Sequence, residues 1–222
     1  MRSIIRQIYL GNCVTDFVQY LLDHDASTTV LIICSTRDAF LNQLLVITRA
    51  HSRETAERHL FLTKTIGLLS KSSRIKVVYC PTLENLRAYL SVLPPSGKSI
   101  QETVPEQQET RRPLMAILDP VALHLNTSEF SAQGLSRTLA AAVEAASREE
   151  MDLVLCECQD AENSAGGERG KVLWDANVPL LNTSVRREAS TWLGRSVSVN
   201  RVAQRWFEFN EPSQHGTQIM NQ

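Results

Sequence analysis

Between Arg186 and Trp206 the sequence carries five arginines (Arg186, Arg187, Arg195, Arg201 and Arg205) with Trp192 and Trp206 among them and a single acid, Glu188. Guanidinium groups suit phosphate contact and indole faces suit base stacking, so this segment is a candidate DNA-binding or partner-binding surface. The same residues also fit an edge strand whose arginines discourage aggregation, with Val197, Val199 and Val202 turned to one buried face. A second group is Cys156 and Cys158 in DLVLCEC. Two apart on a strand, they face the same way and would supply half of a soft-metal site. They equally suit a reduced compartment, where cysteine packs as a small core hydrophobe. The five cysteines, with Cys13, Cys34 and Cys80, have neither the even count of a disulfide scaffold nor a CxxC pair. The histidines, His24, His51, His59, His124 and His215, are scattered. None falls into a Ser/His/Asp or Cys/His arrangement, although His124 follows Asp119 closely enough to lie near it.

Two features touch on phosphate chemistry. Gly97-Lys98-Ser99 has the ending of a P-loop, but the full spacing places Val92 where the first glycine is required. The triplet also follows Pro94-Pro95 and enters a Gln/Glu-rich stretch, where no strand and helix would present backbone amides to phosphate. The topologically correct position, between the first strand and first helix, holds Gly11-Asn12-Cys13, with one glycine and no lysine. Asp119 ends an apolar run, as the magnesium-orienting aspartate of a P-loop ATPase does. Read alone, it is a strand-terminal residue starting the turn before Pro120. The GGERG of the loop near Gly166-Gly167 opens no helix, and no GxGxxG is present. No resident cofactor or metal is expected.

The elements that would position these groups follow from periodicity. Ile4–Leu10 reads as a short strand or a tight entry segment, and apolar, β-branched runs predict four strands covered on both faces, at Thr28–Cys34, Ile75–Cys80, Pro113–Asp119 and Asp152–Cys158. Amphipathic spacing predicts helices between them. One is capped by Asn12 or Thr15, one follows Arg37, one starts at Pro81-Thr82, and a long Ala-rich one is capped by Thr127 or Ser128. Residues 49–73 keep a helical pattern. Residues 94–113 are rich in Pro, Gln, Glu and Ser and read as a disordered insertion, and residues 210–222 as a disordered tail. Val172 to Phe209 reads mainly as strands, adding antiparallel C-terminal strands at one edge. Alternation of this kind predicts an α/β, three-layer domain over residues 1–209 with a mostly parallel central sheet.

The chain has 222 residues, 43% of them apolar, with 23 basic and 24 acidic residues and a net charge of -1. That excludes collagen-like and largely disordered chains, and a globally basic nucleic-acid binder. No apolar run approaches a membrane span and the N-terminus lacks a signal-peptide pattern, so a nuclear or cytosolic protein is expected.

Four passages carry a family resemblance. TVLIICSTRDAFLNQL is similar to the strand and helix that follow the ATP loop of RecA-like recombinases. LMAILDPVALH resembles their Walker B strand, with Asp119 in the acidic position, as a vestige. SEFSAQGLSRTLAAAVEAA resembles the long helix after it, and WLGRSVSVNRVAQRWFEF the closing antiparallel strands. The likeness spans residues 4–209 and lacks the P-loop. It implies a RecA-like, P-loop NTPase-type fold without ATPase activity, in the manner of small recombinase paralogues such as Shu-complex subunits. Such a subunit works by assembling with another RecA-like or recombinase-associated protein, with single-stranded DNA as a secondary contact, in homologous-recombination repair in the nucleus. The alternatives are an Elongator-type accessory subunit in tRNA modification and a small-ligand-binding α/β enzyme.

Overall fold

The computed structural model describes residues 3–54, 66–93, 111–161, 169–181 and 195–210. In order these form β1 (Arg6–Tyr9), α1 (Val14–Asp23), β2 (Thr29–Ile33), α2 (Arg37–Glu54), α3 (Ile66–Ser72), β3 (Ile75–Tyr79) and α4 (Leu83–Ser91). Then come β4 (Leu114–Leu118), α5 (Ala132–Arg148), β5 (Asp152–Cys156), β6 (Asn177–Pro179), β7 (Ser196–Ser198), α6 (Val199–Ala203) and β8 (Glu208–Asn210). Six strands make one sheet in the order β3-β2-β4-β5-β1-β8, and β6 and β7 form a separate pair.

Every pairing within the large sheet is parallel. Parallel strands need cover on both faces, and the side-chain alternation supplies it. Leu31, Ile33, Leu114, Ala116, Leu118 and Val154 meet Phe17 and Leu21 of α1 and Phe40 and Ile47 of α2. Their neighbours Ile32, Met115, Ile117, Leu153 and Leu155 meet Leu86 and Leu90 of α4, Leu135 and Leu139 of α5, and Val199 and Val202 of α6. The result is three layers with β4 wholly buried at the centre.

Side-chain caps start α4, α5 and α6. Ser131 Oγ accepts the Gly134 amide (3.0 Å) at the start of α5, and Thr82 Oγ1 accepts the Asn85 amide (3.2 Å) at the start of α4. A side chain at Gly134 would have no room, since its Cβ would lie 2.1 Å from the Glu129 carbonyl oxygen. The expected caps are corrected accordingly. Ser131, not Thr127 or Ser128, caps α5, and α1 starts at Cys13 without a side-chain cap.

Other expectations also change. The C-terminal strands are not antiparallel additions to the sheet: β8 runs parallel to β1, and the antiparallel pair β6–β7 stands apart. Lys171–Asp175 is a 3-10 turn and Val199–Ala203 a helix, where the valine spacing suggested strands. The Ser198 hydroxyl accepts the Arg201 amide (3.4 Å) and turns the chain into α6. The run Ile75–Tyr79 is not covered on both faces, because β3 is the outermost strand and Val77 is 43% exposed. Residues 94–110 of the expected insertion lie outside the described residues. Its last three are held: the Arg112 carbonyl accepts the Ser27 amide (3.2 Å) and the Pro113 carbonyl accepts the Asp152 amide (2.9 Å). Residues 55–65 and the tail from 211 also lie outside them.

The sheet predicts its own mutational contrast. Leu155→Ala, at the fully buried centre, is expected to cost about 2–5 kcal/mol in urea unfolding. Val77→Ala, on the edge strand, is expected to cost under about 1 kcal/mol.

Candidate functional site

The carboxyl ends of the parallel strands bring Asn12, Asp119 and Cys156–Gln159 together, the end at which open α/β sheets usually hold ligands. Here the polar groups are turned on the protein itself. Asp119, the first residue after β4, has φ 61, a left-handed conformation that aspartate tolerates better than most residues. Its amide donates to the Cys156 carbonyl (2.8 Å), and its Oδ1 accepts the Cys158 amide (2.7 Å). Glu157 answers from the other strand. Its two carboxyl oxygens accept the Val121 amide (2.5 Å) and the Ala122 amide (3.1 Å), capping the 3-10 turn Ala122–His124. The two carboxyls lace the turn after β4 to the turn after β5.

Both are out of water: Asp119 is 6% exposed and Glu157 0%. Burial pushes Asp119 up to about 6 against the amide of Cys158 and the positive charge of Arg169, which pull it down. Burial, and then the charge of Asp119, push Glu157 well above the usual carboxylate range. Burial pushes up the thiols of Cys34 and Cys156, and the hydrogen bond to Cys156 with burial does the same for Cys158. These are thiols rather than reactive thiolates. The Cys156 and Cys158 sulfurs lie 3.6 Å apart, and Cys156 Sγ donates to the Gly11 carbonyl (3.7 Å). Among the described residues no three His, Cys, Asp or Glu side chains gather as a metal site.

The loop after β1 is tied down in the same way. Asn12 Nδ2 donates to Gln159 Oε1 (2.8 Å), Asn12 Oδ1 accepts the Lys171 amide (3.1 Å), and the Asn12 carbonyl accepts the Gln159 amide (2.9 Å). Gly170, at φ 86, comes so close that a Cβ there would lie 2.2 Å from Asn12 Oδ1. His124 is not beside Asp119 in function. It is fully buried, with Nδ1 against the Glu129 carbonyl (3.1 Å) and Nε2 against Thr138 Oγ1 (3.1 Å). Burial lowers it to about 4, so it is a neutral packing residue beside the Arg87–Glu129 ion pair.

The arginine segment is placed elsewhere, on the opposite side of the sheet from α1 and α2. Arg201 and Arg205 line a groove of about 520 Å³ with Ala132, Gln133 and Ser136 of α5, and with Leu180, Val197 and Val202. Arg195 is exposed, and its carbonyl accepts the Leu180 amide (3.3 Å). Trp206 is half-buried and packs on the core behind α6. Arg186, Arg187 and Trp192 lie outside the described residues, as do Gly97-Lys98-Ser99 and Gly166-Gly167. Sequence reasoning passed over Glu157, although a carboxylate between two cysteines at the end of an apolar strand was the visible signal. It also passed over Gln133 and Ser136, which no pattern links to the arginines.

The carboxyl pair predicts an unusual pH response. A carboxyl raised in the folded state holds a proton that the unfolded chain releases. For Asp119 that contribution is full below the ordinary value of 3.8 and is lost as pH rises through about 6. Asp119→Asn keeps an acceptor for the Cys158 amide and a residue type that tolerates positive φ. It is therefore expected to hold or raise stability at neutral pH, by up to about 2 kcal/mol, and to flatten the change between pH 4 and 6. Urea midpoints at both ends of that window check this; a loss above about 2 kcal/mol at neutral pH would contradict it. Asn12→Ala, which removes the Gln159 and Lys171 contacts, is expected to cost about 1–3 kcal/mol in the same assay.

No curated protein is significantly similar to the chain. The family described as SPAC22G7.03-like matches residues 4–216, nearly the whole sequence. The chain belongs to the SPAC22G7.03-like family.

Proposed function

We propose that this chain is a non-catalytic binding subunit of RecA-like build that assembles with another RecA-like or recombinase-associated protein in homologous-recombination repair, single-stranded DNA being a secondary contact. The observation that carries the non-catalytic part is the loop after β1. A nucleotide-binding loop needs glycines that let phosphate approach the backbone, and room for that phosphate. In this chain Asn12 fills that position and is bonded to Gln159 and Lys171. The acidic residue in the Walker B position, Asp119, is likewise engaged by the Cys158 amide and is closed off from water.

The RecA-like part is supported by the parallel sheet with helices on both faces and by Asp119 at the end of its central strand. Work by assembly is supported at the edge of the sheet. Among the described residues β3 pairs only with β2. Leu41 and Leu45 of α2, Ile66 and Leu69 of α3 and Val77 of β3 are large apolar side chains left exposed. Apolar side chains gathered at a surface commonly mark a protein contact.

Two measurements test the reading. Tagged protein purified from its native cells is expected to bring down a recombinase or a second RecA-like chain; recovery of Elongator subunits instead would move the function to tRNA modification. Magnesium-ATP is expected to leave the melting temperature unchanged. A nucleotide bound at a hundred times its Kd would add about 2.7 kcal/mol, roughly 5–10 °C for a chain of this size, and a shift of that order would contradict the non-catalytic assignment.

A further inference from the structure

We propose that the groove between α5, α6 and the β6–β7 pair docks an extended acidic segment of a partner protein, with the pattern acid–aliphatic–acid. This rests on the reading of the chain as a binding subunit and names the chemistry that one of its surfaces takes. The groove, about 520 Å³, is within the ordinary range for a site that encloses a ligand or a few side chains. Its cations are Arg201 and Arg205, both exposed, and neither pairs with a carboxylate of any described residue. Among the described residues no acidic side chain lines it. Its apolar surface is Ala132, Leu180, Val197 and Val202, with Leu180 41% exposed.

The support beneath is fixed. Val199, Val202 and Ala203 are buried and hold α6 against the core, so Arg201 projects from a seated element and Arg205 from the turn that follows it. The nearby helix start contributes little on its own account. The Gln133 amide already donates to the Leu180 carbonyl (3.1 Å) and the Gly134 amide to Ser131 Oγ (3.0 Å). Recognition therefore falls to the arginine side chains and the apolar surface, with Gln133, Ser136 and Gln204 as polar neighbours.

That combination selects the occupant. Arginine forks match carboxylates in bidentate geometry. Arg201 lies in α6 and Arg205 in the turn just after it, and both line the groove; alternate residues of an extended chain stand about 6.6 Å apart. Two acids flanking one residue can therefore reach both arginines, while the residue between them turns toward the apolar wall. A nucleic acid would need an exposed aromatic face for its bases. The one tryptophan of this segment among the described residues, Trp206, is half-buried against the core and does not line the groove.

The test uses the full chain, immobilised, against a random-peptide phage library, with an oligothymidine measured in parallel. Wild type is expected to enrich acid–aliphatic–acid peptides. A fluorescein-labelled peptide from that selection is expected to lose about tenfold or more in affinity to the double variant Arg201→Glu/Arg205→Glu. It is also expected to weaken with Leu180→Ala, and all variants should melt like wild type. Failure to enrich acidic peptides overturns the proposal, as does binding that ignores the double variant. Oligothymidine binding that depends on both arginines, without an acidic consensus, overturns it too and assigns the groove to nucleic acid. Peptide binding that behaves as expected, in a protein whose native partners are unrelated to recombination, keeps this inference and removes only the repair assignment.

Discussion

A parallel sheet offers water no face. With β4 buried along its whole length, each side of the sheet must be covered by helices, and the chain must cross from one side to the other to lay them down. Here α1 and α2 cover one face and α4, α5 and α6 the other. Surface chemistry is then confined to three places: the carboxyl ends of the strands, the outer sides of the helices, and the unpaired edges. In many α/β proteins the first of these is the working end. In this chain its turns hold one another, through Asp119, Glu157 and Asn12, and a concave surface lies on the helical layer beside Arg201 and Arg205.

Keeping two carboxyl groups out of water is costly unless each is satisfied by hydrogen bonds or keeps a proton. The turn after β4 does both. Three backbone amides point at the two carboxyls, and burial favours their protonated forms. The arrangement also explains how Asp119 sustains its left-handed backbone. The residue is bonded through its amide and its side chain to the same neighbouring strand, which over-determines its conformation. A residue in that role is a fastener between strands, which is why its type at the end of an apolar run says little about catalysis by itself.

The strands at the centre were the most legible part of the sequence. TVLII, LMAIL and DLVLC are short runs without polar interruption, and that is the pattern of a strand covered on both sides. The long helix α5 was legible from its Ala and Leu content, though its cap was not, since Thr127, Ser128 and Ser131 all have the right chemistry and the helix starts just after Ser131. Position in the sheet was not legible. IKVVY has the same character as the central strands yet lies at the edge, because strand order is set by long-range connections that no local pattern encodes. The C-terminal third misled for another reason: the valines of SVSVNRV alternate as in a strand, while Ser198 caps a turn of helix. Within the groove, Arg201 and Arg205 were visible as residues; the α5 side chains opposite them became visible only with the fold.

The position of β1 bears on how the chain comes off the ribosome. Arg6–Tyr9 is the first of the described strands in the sequence, yet its neighbours in the sheet are Leu153–Cys156 and Glu208–Asn210. By contrast β2, β3 and β4 lie side by side and arise between residues 29 and 118, so they can pair while the rest is still being translated. The first strand must wait for most of the polypeptide before either of its edges is satisfied, and closing such long loops is entropically slow. During that interval Ile8, which ends fully buried, is without its cover. Until then this strand, with Ile8 uncovered, stays unpaired at both edges, a natural point of engagement for a chaperone and a natural seed for aggregation when β5 or β8 is delayed.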